Sequence, residues 1–260
     1  MTLIEEIAEN LFVLSTLVPA NGRSWLPPGT TGLEPFNRYL ALSNSDALLI
    51  DTGPRAHRAT VLEALDRMVG ARRLTVMVTR SELDCISNVG AVVDRFPDLR
   101  VIGVMKNLPL LGLVHMERTP RSGLTAERMP MGRTLSDYGF ERFKPMPPVI
   151  KTLSTIWMID EVSGALFTSD SFSADLMRRP DDPLVRRDVE DVPSPATLRR
   201  HVLAKFDWLS QANKASLLSN WNRFFTDVRP AAIAPGLGRI QMGQDLVSRI
   251  IRDYKTAIFD

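Results

Sequence analysis

Cysteine is almost missing from this chain: there is one, Cys85, in 260 residues. A lone cysteine excludes an internal disulfide and fits a reducing, cytoplasmic setting. Histidine is scarce too, with three. His57 reads as an exposed polar residue at a helix start, His115 as a surface or half-buried residue, and His201 as a solvated residue on a helix. No apolar run approaches the roughly 20 residues needed to span a bilayer. The first ten residues lack a basic stretch followed by an apolar one, so no signal peptide is visible. Charge of one sign is missing as well. A formal net charge of +2, with acidic and basic residues interspersed, gives no footing for nucleic acid or an anionic membrane.

What is present is enough apolar material, 44% of residues, to bury one sizeable core, and the expectation is a single domain over residues 1–260. Strand patterns cover 11–14, 37–42 and 47–50, and a Gly/Pro-rich loop lies between Pro19 and Pro35. Trp25 in that loop is expected to pin it down rather than to serve as a lid. A helix with Val61, Leu62, Leu65, Met68 and Val69 on one face follows, then a buried-strand run at 74–78 and a further helix through Ile86, Val89, Val92 and Phe96. The next strand is expected at 100–104. Strand, helix, strand, helix, strand implies a sheet covered by helices. Residues 106–133 carry no readable pattern, and their methionines are taken as packing. Further strands are expected at 138–143, 154–160 and 165–170. Amphipathic helices follow on Leu198, Val202, Phe206 and Leu209, then on Leu217 to Val228, and finally on Leu246 to Tyr254.

The chemistry concentrates in one turn. Between the strand at 74–78 and the following helix stand Arg80, Glu82, Asp84 and Cys85, where an α/β fold sets side chains into a cleft. Three other landmarks accompany it: Asp51-Thr52-Gly53 closing a strand, Leu166-Phe167-Thr168-Ser169-Asp170, and Ala234-Pro235-Gly236-Leu237-Gly238.

In that order and spacing, from about residue 10 onward, these landmarks resemble the metallo-β-lactamase fold, and within it the diiron domain of flavodiiron proteins and their oxygen-binding diiron sensor relatives. The resemblance implies an α+β fold, a four-layered αββα sandwich. In that family the turn reads H-x-E-x-D-H-x-G and its side chains hold two irons. Here Arg80 stands for the first histidine and Cys85 for the second, while Glu82 and Asp84 stay in register. Asp170 falls on the aspartate that bridges the metals. Residues 145–151 lack the family's next histidine, and Leu237 replaces the last. A diiron or dizinc site needs several imidazoles besides carboxylates. The resemblance therefore implies a vestigial metal-site cleft of Arg80, Glu82, Asp84, Cys85, Asp170 and Leu237, with no catalytic residue, metal or cofactor expected.

In this reading Arg80 takes over the charge balance that the metals would supply, because a guanidinium can bind one carboxylate bidentately and another edge-on. The protein is then expected to be a non-catalytic binding, sensory or scaffolding member of the fold. A protein partner or a small ligand would occupy the old cleft, and the resemblance makes a homodimer the expected assembly. The alternative is a metal-dependent hydrolase or oxidoreductase holding Fe or Zn through Asp84, Cys85 and Asp170, with Glu82 as a further ligand. A redox role for Cys85 ranks third, since no resolving cysteine exists. No flavodoxin or rubredoxin domain is legible in the sequence.

Overall fold

The computed structural model describes residues 2–96, 98–103, 126–150 and 154–260. His115, Val104 and most of the unreadable stretch lie outside the described residues. The chain divides into two compact units: Met1–Thr16, Phe36–Pro147 and Leu153–Glu161 form the first, and Leu17–Pro35, Pro148–Thr152 and Val162–Asp260 the second.

The first unit is built on a seven-stranded mixed sheet in the order β1 to β7. β1 (Thr2–Ala8) pairs antiparallel with β2 (Leu11–Pro19), and β3 (Leu33–Leu42) with β4 (Asp46–Ile50). The chain then crosses over through helix α1 (Arg58–Met68) to β5 (Arg73–Met77), parallel to β4. Helices α2 (Leu83–Ile86) and α3 (Val89–Arg95) lead to β6 (Arg100–Gly103), which pairs with β5 and with β7 (Ala126–Arg128), again in parallel. The buried runs of β4 and β5 follow from this, since parallel strands are covered on both faces. Leu40, Leu49, Val61, Leu65, Val76, Val92 and Val101 meet in one cluster. Fully burying one such side chain contributes about 1.5–3 kcal/mol. β8 (Phe143–Met146) and β9 (Trp157–Asp160) form an antiparallel pair in which Arg142 forks onto the buried Asp160 carboxylate.

The second unit holds four paired strands. β10 (Ala165–Phe167) runs parallel to β12 (Ala232–Ala234), β12 antiparallel to β13 (Ile240–Met242), and β13 parallel to β11 (Val185–Arg186), in the order β11-β13-β12-β10. Three helices accompany them. Ser194 caps α4 (Pro195–Lys205) by accepting the Thr197 N–H, with proline in its first turn, and Asn213 caps α5 (Lys214–Asp227) by accepting from Ser216. The last, α6 (Gln244–Phe259), buries Leu246, Val247, Ile250 and Tyr254. Trp221 on α5 is fully enclosed, its ring 4.8 Å from that of Phe225 and 5.9 Å from those of Phe172 and Phe259.

Several local expectations are corrected. Residues 138–143 are not a strand: a 3-10 turn at Ser136–Tyr138 ends on Gly139 in the left-handed region, and the Phe140 N–H closes back on Leu135 O. Gly139 is required there, because a Cβ would lie 2.6 Å from the Asp46 carboxylate. The helix expected through 86–96 is two short helices that part at Asn88. The helix carrying Leu198 and Val202 stops at Lys205, and Leu209 sits on a separate 3-10 turn, Asp207–Gln211. The first strand, β1, has no counterpart in the sequence reading.

Trp221→Ala is expected to cost about 3–5 kcal/mol, since the site is aromatic on several sides and cannot collapse around the void. Denaturant unfolding measures this, and a loss below about 1 kcal/mol would show that the cluster does not hold α5 in place.

Candidate functional site

The site begins where β4 ends. Asp51 has a positive φ of 62°, and its buried carboxylate accepts the Thr79 backbone N–H at 2.8 Å and the Thr79 hydroxyl at 2.6 Å. Two hydrogen bonds thus join the end of β4 to the residue that opens the Arg80 turn. Burial is the main influence on Asp51 and pushes its carboxyl up to about 6, against the Thr79 bonds and the Arg80 charge, which favour the ionised form. Thr52 continues the join, with both its N–H and its hydroxyl donating to Cys85 O at 2.7 Å. Asn88 completes it. Its side-chain amide lies within 2.9–3.0 Å of the carbonyls of Thr52, Gly53 and Pro54, which turns the backbone aside and separates α2 from α3.

On this frame the turn carries its charges. Arg80 is 4% exposed; its Nη2 donates to Asp84 Oδ2, and its Nε lies 3.3 Å from Glu82 Oε2. The guanidinium thus reaches both acids, through one nitrogen each. Asp84 and Glu82 are progressively more exposed. Cys85 is buried 3.9 Å from the Thr79 hydroxyl, and burial first, then the Asp51 and Asp84 charges, raise its thiol well above the usual range. A thiol so placed is neither a ready nucleophile nor a ready thiolate ligand.

Asp170 and Leu237 belong to the second unit. Asp170 is buried between two left-handed residues, Ser169 and Phe172, and Lys205 of α4 supports this turn through Asp170 O at 3.4 Å and Ser173 Oγ at 2.7 Å. Leu237 is buried in a turn tied back by the Gly236 N–H to Ser169 O and by the Gly238 N–H to Pro35 O. Gly238 has no room for a side chain: a Cβ would meet Ser173 O at 2.8 Å. Trp25 donates to the Glu34 carboxylate at 3.0 Å, so this loop is pinned as expected.

His57 and His201 depart from their bland readings. His57 is half-buried, its Nδ1 bonded to Thr16 Oγ1 at 2.6 Å and its ring edge-on to Phe36. His201 is half-buried on α4 rather than solvated, and burial, then Lys205 and Arg200, push it down to about 4. Among the described residues, no group of three or more His, Cys, Asp or Glu side chains is placed to hold a metal ion. At the turn, Asp84 is engaged by Arg80, and burial holds the Cys85 thiol above its usual range. Sequence reasoning missed Thr79, the Asn88 clamp and Lys205; only the amide of Asn88 beside a helix start carried a signal for any of them.

With two mixed sheets and helices, the fold is the α+β, αββα class of metallo-β-lactamase-like domains. Within that class it is similar to the cores of flavodiiron proteins. Rubredoxin oxygen:oxidoreductase from the anaerobe Desulfovibrio gigas superposes with a TM-score of 0.72 at 14% identity, over 97% of this chain and 61% of that one. A metal-soaked Flv1 flavodiiron core from Synechocystis sp. PCC6803 gives 0.74 at 15% identity, over 99% and 60%. A fragment of a diflavin flavoprotein from Nostoc sp. PCC 7120 gives 0.69 at 18%, over 98% and 95%. The chain thus spans about three fifths of the first two proteins' length. No protein-family model matches the sequence, and no curated protein matches it. Among the described residues, no helix is long and apolar enough to cross a membrane.

One expectation is overturned here. A chain with no metal or cofactor does not follow from this fold, because the structures that share it are flavodiiron proteins, one of them a metal-soaked core.

Asp51 gives a pH test. Its folded value, about 6, lies above its usual 3.8, so the folded chain holds this proton where the unfolded chain has lost it. The resulting stability is full below about pH 4 and is lost as pH rises through about 6, a change on the order of 3 kcal/mol. Asp51→Asn is expected to flatten that part of the curve in urea unfolding. Parallel curves for variant and parent would remove the assignment.

Proposed function

We propose that this chain is a flavodiiron-like protein of the metallo-β-lactamase fold that has lost the histidine ligands of the dinuclear site and serves in binding, sensing or scaffolding rather than catalysis. One observation carries this reading: Arg80, at the position where the resemblance sets a histidine, is buried and engaged with both Asp84 and Glu82. A guanidinium stays charged at any physiological pH. At ~4 Å and an effective dielectric near 20 it repels each unit of positive charge by roughly 4 kcal/mol, and it competes with any ion for the Asp84 carboxylate. Asp170 and Leu237, set at ligand positions in the second unit by resemblance, are proposed as vestigial in the same sense. The homodimer expected from the resemblance remains part of the proposal.

The alternative, a hydrolase or oxidoreductase working through Asp84, Cys85 and Asp170, draws no support from the turn, where the acid is taken and the thiol is protonated.

Oxygen uptake tests the proposal. Supplied with ferrous iron and a reductant, the protein is expected to consume oxygen no faster than the same mixture without it. Uptake above that background which disappears in Asp84→Ala would overturn the reading and return the turn to catalysis.

A further inference from the structure

Asn21-Gly22 is the one Asn-Gly step in the sequence, and it lies in the turn that follows β2. Both residues are exposed. Gly22 has a φ of 73°, in the left-handed region, and a Cβ placed on it would meet nothing within 4 Å. The glycine therefore serves the bend of the chain and not a close approach. Among the described residues, neither the Asn21 side-chain amide nor the Gly22 N–H takes part in a hydrogen bond.

The chain is fixed on either side of this step. The Ala20 N–H donates to Gly32 O at 3.0 Å, Arg23 Nε donates to Pro19 O at 3.2 Å, and the Leu26 N–H donates to Arg23 O at 3.3 Å. These bonds leave the atoms of the step itself out. Bringing the Gly22 nitrogen against the Asn21 side chain thus breaks none of the described hydrogen bonds, and the protein need not unfold for the two to meet.

Asn44-Ser45 is the opposite case. Asn44 is exposed as well, in the turn between β3 and β4. There the Ser43 N–H donates to Asp46 O at 2.8 Å, Ser45 O accepts the Arg73 N–H at 2.9 Å, and Ser45 Oγ donates to Asp46 Oδ2 at 2.6 Å. A ring closing onto the Ser45 nitrogen has to displace these bonds, and serine carries the Cβ that glycine lacks.

We propose that Asn21 is a site of spontaneous covalent modification in the folded protein. Asparagine is thermolabile, and the reaction draws only on water and hydroxide. Hydroxide removes the Gly22 amide proton and the nitrogen attacks Asn21 Cγ. The new N–Cγ bond closes a succinimide as the Cγ–Nδ2 bond breaks, and ammonia leaves with a proton taken from water. Water then opens the ring. Addition at Cγ breaks the new bond and gives aspartate; addition at the main-chain carbonyl breaks the original peptide bond and gives isoaspartate, whose main chain runs through Cγ. No atom changes oxidation state.

Either product exchanges a neutral amide for a carboxylate and lowers the formal net charge of +2 by one unit. The new charge stands two residues from Arg23, whose guanidinium lies 5.7 Å from the centre of the Trp25 ring. Isoaspartate also adds a main-chain atom to the turn. The site is separate from the Arg80 turn and holds or fails independently of the function proposed above.

Peptide mapping by mass spectrometry, on the folded full chain aged at neutral and at mildly alkaline pH, tests this, with isoaspartate scored by enzymatic methylation. The Asn21 amide is expected to be lost at least tenfold faster than that of Asn44, faster at the higher pH, and with isoaspartate among the products. Asn21→Gln, a change at an exposed and unbonded position, is expected to keep its amide and to abolish the isoaspartate signal. An Asn21 amide lost no faster than that of Asn44 overturns the site, as does conversion confined to the urea-unfolded chain. Aspartate formed without isoaspartate overturns the succinimide route.

Discussion

The Asp51–Thr79 bond pair is the constraint on which the turn depends. A residue other than glycine held at a positive φ costs on the order of 1 kcal/mol or more, and persists only where its surroundings fix it. Here the surroundings are two short hydrogen bonds from a single residue, made inside the protein where water does not compete. With Asp51 fixed, Thr52 meets Cys85 and Asn88 gathers the carbonyls that follow. Arg80 then leaves a backbone anchored on both sides, which sets its guanidinium against Asp84 and Glu82 on the same turn.

Much of the first unit was legible because parallel strands announce themselves. The runs at 47–50 and 74–78 are apolar throughout except for Thr75, and helix α1 repeats its apolar residues at the spacing of one buried face. The Arg80–Asp84 pair was equally open to inspection, since the two stand four residues apart across the start of a helix. What escaped depends on partners far away in the chain. The parting of α2 from α3 is set by carbonyls 34 to 36 residues upstream of Asn88, and the turn at Gly139 by a carboxylate at 46. Neither leaves a local mark, because asparagine and glycine occur in many turns for many reasons. Lys205 on the Ser173 hydroxyl, 32 residues apart, is of the same kind.

The solved flavodiiron structures share this backbone at 14–18% identity. At that distance the likeness is one of backbone fold, and side chains are free to differ. A fold can therefore pass from one chemistry to another without altering its frame. The metal content of this chain is then a question for its own donors. At the turn these are one engaged carboxylate, one half-exposed glutamate and one protonated thiol.

The tripeptide Asp51-Thr52-Gly53 also divides two arginines with opposite fates. On the aspartate side, Arg80 meets acids on its own turn and its charge is answered. On the glycine side, Arg38 presses against the bare Cα of Gly53 and, among the described residues, its guanidinium meets a carbonyl and a hydroxyl. Asp51 does not serve both, because its two oxygens are turned to Thr79 and its field is shaped by Arg80 and Asp84 rather than by Arg38. A carboxylate that burial has already pushed toward neutrality is a poor counter-ion even at short range.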